Sequence, residues 1–308
     1  MSKVIAFLGL GNMGGPMAVN LLKDGHTVHG FDPVEAAQQH AKENGVDVRG
    51  TAAEAVEGAE VIITMLPSGK HVLDAYQGAE GIPGLLELAA PDTLFIDCST
   101  IAVADAREAA RLAHDGGHRA IDAPVSGGVV GAEAGTLAFM VGASEENFAA
   151  AQPVLEPMAK RIVHCGEAGA GQAAKVCNNL ILAISMIGVS EAFVLGEQLG
   201  LTHEALFEVT SNATATCWAL NTNCPVPGPV PTSPANRDFT GGFASALMAK
   251  DLGLAMHAIE STGTESRLGS MAAQIYQDWA AGEAARLDFS SIITEIREHS
   301  TATDGGAA

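Results

Sequence analysis

A chain of 308 residues holds one large or two ordinary domains, and 47% apolar side chains are enough for sizeable cores. Acidic side chains outnumber basic ones 36 to 16, a net charge of −20, which argues against a phosphate-neutralising nucleic-acid surface. The five cysteines include no C-x-x-C pair, which disfavours a disulfide framework or a thiolate metal site and leaves buried free thiols in a reducing compartment as the expectation.

The first apolar run, VIAFL, reads as a strand over Val4–Leu8 and enters a glycine-rich turn too soon for a secretory signal. Further β-rich runs stand at Thr27–Phe31, Val61–Met65, Leu94–Ile96, His118–Asp122 and Leu137–Val141. Between them lie helical patterns at Met13–Lys23, Val34–Asn44 and Val103–His114. Such alternation implies right-handed βαβ units and an α/β, doubly wound, mainly parallel sheet of the Rossmann type. From about Gly166 the strand-like runs stop. Helices are expected at Gln172–Leu199, His203–Ser211, Gly242–Ser261 and Glu265–Ala281. The Pro-rich segment CPVPGPVPTSPAN (224–236) is expected to be a loop, because proline removes donors and breaks helices. The expected division is an α/β domain over 1–165, an all-α domain over 166–300 and a disordered tail over 301–308. No uninterrupted apolar run approaches the roughly 18 residues of a membrane span. The expectation is a soluble, cytoplasmic protein with no membrane partner.

The turn Gly9-Leu10-Gly11-Asn12-Met13-Gly14 has the G-x-G-x-x-G pattern, set between a strand and a helix as a dinucleotide-binding turn requires. Gly9 allows the tight turn, Gly11 lets backbone approach a pyrophosphate at the helix N-terminus, and Gly14 lets helix and strand pack closely. The second strand ends at Asp32, where a carboxylate would bind ribose hydroxyls and repel a 2′-phosphate. NAD is therefore the expected cofactor, in preference to NADP. Two more strand ends run into Leu66-Pro67 and into Ser99-Thr100, on the side of the sheet where ligands bind. The same residues fit a strand-stopping proline and a helix-capping hydroxyl equally well. Ser126-Gly127-Gly128 offers a hydroxyl and open backbone N–H groups suited to a carboxylate, and a plain polar turn has the same composition.

Lys175 stands at the start of the most apolar stretch, with Asn178 and Asn179 three and four residues on and so on one helix face. A helix N-terminus is electrostatically poor for a cation. That position suggests function, although a surface lysine would show the same letters.

The motifs FLGLGNMGGPMAVNL, DAPVSGG, GAGQAAKVCNN and MAKDLGLA occur in the order found in the β-hydroxyacid dehydrogenase family, which the whole chain resembles. The segments CWALNTNCPVPGPVPTSPANRDFTGGF and LDFSSI are similar to the branch acting on a short methyl-branched 3-hydroxy acid from valine breakdown. The resemblance implies a catalytic acid/base at Lys175, a substrate-holding amide at Asn179 and a substrate-carboxylate site at Ser126, Gly127 and Gly128. It implies cofactor contacts at Leu66, Pro67 and Thr100, a lysine near nicotinamide and substrate at Lys250, and Asp251 beside it. Trp218 and Phe239 lie in the branch-specific segment and would shape the acyl pocket; His71 stands where Asn is usual and has no assigned role. The implied reaction oxidises a small hydroxyacid with NAD and needs no metal, and the implied assembly is a homodimer or homotetramer. Two alternatives are another short β-hydroxyacid reaction, such as tartronate semialdehyde reduction, and a non-catalytic dinucleotide-binding module. Intact Lys175, Asn179 and Ser126 count against the second.

Overall fold

The computed structural model describes residues 2–79 and 81–301. The final helix, Ile292–Thr301, takes in the first residue of the expected tail; the remainder lies outside the described residues. By contacts the chain divides into two compact units after Lys175. That point falls inside the long helix Ala170–Gln198, whereas the change in sequence texture lies near residue 165.

The strands are β1 (Val4–Leu8), β2 (Thr27–Phe31), β3 (Asp47–Val48), β4 (Val61–Thr64), β5 (Gly78–Ala79), β6 (Ile82–Pro83), β7 (Leu94–Asp97), β8 (Arg119–Asp122), β9 (Val125–Ser126), β10 (Leu137–Gly142) and β11 (Ala159–Gly166). The main sheet of the first unit runs β11-β10-β8-β7-β4-β1-β2-β3, while β5 and β6 form a separate hairpin. Pairings from β8 through β3 are parallel, as is β10 with β11; β10 meets β8 antiparallel. Alternate residues of a strand point to opposite faces. Ile5, Phe7, Val61, Ile63, Leu94 and Ile96 fill one apolar core, and Ala6, Leu8, Ile62 and Phe95 fill another. Helices therefore cover both faces, which is why the central strands are apolar throughout. The strand β11 was not expected from the sequence. None of its residues is fully buried, and exposed Lys160 and Arg161 blunt its edge.

The second unit is helical: Ala170–Gln198 continues through it, followed by His203–Ser211, Trp218–Asn221, Ser245–Thr262, Arg267–Trp279 and Ile292–Thr301. Ala183, Met186, Met248, Leu252, Tyr276 and Phe289 are fully buried in its larger core. By length and average composition alone, helix Ala170–Gln198 is long and apolar enough to cross a membrane, with mean hydropathy 1.8 over 18 residues, although it holds no uninterrupted apolar run of that length. Small Ser and Gly interruptions break its runs without lowering its average much, and Ala183, Met186, Ile187, Phe193 and Val194 are buried in the helical cores.

The Pro-rich segment is a loop with one short 3-10 turn, Pro234–Arg237. Buried Asp288 staples it: Oδ1 accepts from Asn223 Nδ2 (3.0 Å) and Oδ2 from the Phe243 N–H (2.8 Å). The two segments that the sequence sets apart, the proline loop and LDFSSI, are thus one structural device.

Three helices are tied at Glu197. Arg297 donates through both Nε (3.1 Å) and Nη2 (2.5 Å), and His203 Nε2 lies 2.7 Å away. The Arg297 guanidinium, with His203 in support, holds the Glu197 carboxyl below its usual range against the effect of burial. A depressed acid contributes stability at pH above its ordinary value, and that contribution is lost as pH falls through the folded-state value. Glu197→Gln is expected to cost about 1–2 kcal/mol at pH 7 and progressively less as pH falls below the ordinary carboxylate range, read from urea unfolding at pH 7 and pH 3. A loss at pH 3 as large as that at pH 7 would remove the ion pair from the explanation.

Candidate active site

The glycine turn leaves β1 as its spacing requires. Gly9 has φ +94°, and a Cβ there would strike the Met65 carbonyl oxygen; a Cβ on Gly14 would strike that of Gly9. At Gly11 a Cβ would meet nothing in the protein, so this position opens outward. Helix Gly14–Lys23 has no side-chain cap and no acidic residue in its first turn, leaving its N-terminal N–H groups and dipole available to an anion. Asp32 is buried beside the turn: Oδ2 accepts from the Leu10 N–H (2.7 Å) and Oδ1 from the Val34 N–H (2.8 Å). Each oxygen keeps a second lone pair for a ribose hydroxyl. These features fit a dinucleotide pyrophosphate and its adenosine ribose.

The ends of β4 and β7 are cross-tied. Thr64 Oγ1 (2.8 Å) and Ser99 Oγ (2.6 Å) both donate to Asp97 Oδ1, and Ser99 Oγ accepts the Leu66 N–H (2.8 Å). Leu66 and Thr100 are thereby fixed within one unit. Pro67 is not what stops β4, which already ends at Thr64. The next helix starts after Ala102, so neither Ser99 nor Thr100 occupies its N-cap position. Ser68 occupies the position before helix Gly69–Gln77, but its hydroxyl meets His71 Nδ1 (2.8 Å) and caps nothing.

The helix bearing Lys175 starts on two buried polar side chains that sequence reading left without a role. Asp122 receives the N–H groups of Gly169 on Oδ1 (2.6 Å) and of Gln172 on Oδ2 (2.8 Å), a carboxylate cap supplied from β8. Burial pushes the Asp122 carboxyl up to about 6, against the pull of those N–H groups; the charge of Asp97 acts in the same sense as burial. Gln172 reaches the loop after β7 with its own amide. Lys175, one turn further on, is only 7% exposed. Ser126 ends β9, and Gly127 and Gly128 follow with φ +134° and +62° at the start of helix Gly128–Ala134.

In the helical unit, Asn179 and Asp251 are buried together, with Asn179 Nδ2 donating to Asp251 Oδ2 (2.5 Å). Asn178 Nδ2 donates to Asn179 Oδ1 (2.9 Å), and Lys250 Nζ stands 3.9 Å from Asp251 Oδ1. Asn178, which sequence grouped with Lys175 by spacing alone, orients Asn179. Trp218 is half-exposed at the start of its short helix. Phe239 has φ +57° and packs against the smaller helical core of Phe193, Leu220 and Val226.

Asp97, Asp122 and Gln172 escaped the sequence because their partners are far along the chain: the Gln172 amide bonds residues 71 and 73 positions away. The available signal was an acid at the end of two neighbouring strands, Asp97 of β7 and Asp122 of β8, on the edge where ligands bind.

A doubly wound sheet with this turn and a buried acid at the end of β2 defines a nicotinamide-dinucleotide-binding protein. The sequence model of the NAD binding domain of 6-phosphogluconate dehydrogenase matches residues 4–166. A second, described as NAD-binding of NADP-dependent 3-hydroxyisobutyrate dehydrogenase, matches residues 169–296. A probable 3-hydroxyisobutyrate dehydrogenase of Mycobacterium bovis is 57% identical, over 97% of this chain and 99% of its own. An NAD-dependent L-serine dehydrogenase of Pseudomonas aeruginosa is 45% identical, over 94% and 96%. The solved structure of the Mycobacterium tuberculosis 3-hydroxyisobutyrate dehydrogenase with L-serine superposes with a TM-score of 0.92 at 57% identity, covering 96% of this chain and 100% of that one. The chain is an NAD-dependent oxidoreductase. It belongs to the 3-hydroxyisobutyrate dehydrogenases of the β-hydroxyacid dehydrogenase family.

Proposed function

We propose that this enzyme oxidises 3-hydroxyisobutyrate to methylmalonate semialdehyde, the step expected in valine breakdown, with Lys175 as acid and base. The observation that carries the reading is a lysine 7% exposed in the first turns of a helix whose start is held by a buried carboxylate. A surface lysine has no need of that burial. When bound, the nicotinamide supplies the hydride acceptor at the substrate carbinol carbon. Lys175 Nζ takes the hydroxyl proton as the carbonyl forms; in reverse its ammonium polarises the aldehyde oxygen and returns the proton. Ser126 and the N–H groups of Gly127 and Gly128 hold the substrate carboxylate. Asn179, one turn beyond Lys175, holds the substrate hydroxyl, and its own orientation comes from Asn178 and Asp251.

Leu66, Pro67, Thr100 and Lys250 serve the nicotinamide side in this reading, while Asp251 acts through Asn179 and Lys250. Trp218 and Phe239 bound the acyl group. Exposed Ile181, Leu195, Leu199, Leu268 and Met271 support subunit contacts of the helical unit in a homodimer or homotetramer, located in the cytoplasm.

L-Serine is the second reading, because it is a 3-hydroxyacid too, one relative is an NAD-dependent L-serine dehydrogenase and one superposing structure was solved with L-serine. Initial rates with NAD and 3-hydroxyisobutyrate, 3-hydroxypropionate, D-glycerate or L-serine test both. The expected order has 3-hydroxyisobutyrate first in kcat/KM by about tenfold or more, since a buried methyl group is worth about 1–3 kcal/mol. A higher kcat/KM for L-serine would transfer the assignment, and fastest turnover of D-glycerate would favour the tartronate semialdehyde reaction.

A further inference from the structure

The backbone around Thr100 is held by a side chain, in the manner of a strand held by its neighbour. Gln172 Nε2 donates to the Ser99 carbonyl (2.7 Å), and Gln172 Oε1 accepts the Ile101 N–H (3.2 Å). These are the C=O and N–H on either side of one residue, the pair that an adjacent strand engages in a ladder. The amide orientation follows from its partners, since Ile101 offers only a donor and Ser99 only an acceptor here. Gln172 is fully buried, as is Ser99, while Thr100 between the clamped groups stays half-exposed.

The clamp has two further attachments. Ser99 Oγ accepts the Leu66 N–H, so the β4 loop joins the same frame. The backbone N–H of Gln172 goes to Asp122, whose carboxylate starts the helix. A continuous set of hydrogen bonds thus runs from the Leu66 loop through Ser99 and Gln172 to the first turn of the helix, and Lys175 follows three residues later.

We propose that Gln172 is a positioning residue for hydride and proton transfer: its carboxamide fixes the Thr100 loop to the helix turn that carries Lys175. The proposal rests on the Lys175 reading above. It requires the chemical step to suffer much more than dinucleotide affinity, because the glycine turn and Asp32 lie outside the clamp and only the nicotinamide-side contacts at Leu66 and Thr100 lie within it.

Gln172→Met keeps length and approximate volume and removes both hydrogen bonds. Its kcat with 3-hydroxyisobutyrate is expected to fall about tenfold or more, with the NADH dissociation constant unchanged within about threefold. The primary isotope effect on kcat, with substrate deuterated at the carbinol carbon, is expected to rise as the chemical step becomes limiting. A merely structural residue would lower the melting temperature without moving that isotope effect. A folded Gln172→Met with wild-type kcat and isotope effect overturns the proposal. Should it fail to fold, Gln172→Glu decides on the same readouts. It keeps an acceptor for the Ile101 N–H and sets a carboxylate oxygen against the Ser99 carbonyl, so kcat falls and the isotope effect rises, or the proposal fails. Lys175→Ala measured alongside separates the two claims. Turnover retained there sinks the acid/base reading; normal Gln172 variants beside an inactive Lys175→Ala sink the clamp alone.

Discussion

Lys175→Ala is expected to lower kcat by about 10³-fold and to leave NADH affinity within about twofold, because a positioned acid/base contributes roughly 10²–10⁴. The two halves of this expectation come from different places in the fold. In the proposed reading the dinucleotide is held at the Gly9–Gly14 turn and at Asp32, beside β1 and β2. Lys175 stands on a helix start attached to β7 and β8 through Gln172 and Asp122. Removing its ammonium leaves both anchors intact, so the helix keeps its cap and its clamp. NADH fluorescence titration and steady-state rates on the same preparation are the measurement. A variant that loses cofactor binding along with turnover would mean that Lys175 is structural. One that keeps turnover would require a different proton carrier.

Asp32→Ala is expected to reduce the preference for NAD over NADP by about 10²-fold, read as the ratio of kcat/KM for the two cofactors, since like-charge juxtaposition costs several kcal/mol. Activity with NAD itself should drop as well. Asp32, the proposed ribose ligand, is also the acceptor for the Leu10 and Val34 N–H groups, and alanine leaves those donors without it. The two effects separate cleanly, because loosening the turn weakens both cofactors alike, whereas removing the charge helps only the phosphorylated one. An unchanged ratio would mean that discrimination lies elsewhere than the carboxylate.

Some of the site needed only local pattern. The glycine turn is visible because each glycine answers a constraint within a few residues of a strand end, and the structure meets it at Gly9 and Gly14 with backbone oxygens where side chains would stand. Asp32 follows from strand spacing. Helix His203–Ser211 was expected with its observed bounds, Thr202 capping it through the Ala205 N–H. Strand β11 was not, because an edge strand with charged residues lacks the apolar run that marks a buried one. The roles of Asp122 and Gln172 were illegible for another reason. A buried carboxylate and a buried amide have no periodicity, and their meaning lies in the distant backbone groups that they meet.

By itself, then, the sequence determined the alternation that makes a parallel sheet, the turn that admits a dinucleotide, and the lysine at the mouth of an apolar helix. Each depends on interactions between near neighbours or on the period of one element. Tertiary structure alone decided how that lysine is presented. Asn178 was merely adjacent in spacing until its amide met Asn179, and GAGQAAK was only a glycine-rich helix start until Asp122 and Gln172 attached it to the ends of β8 and β7. The physical reason is that a buried polar group must find its partner wherever the fold brings one, and the chain sets that distance only after it has folded.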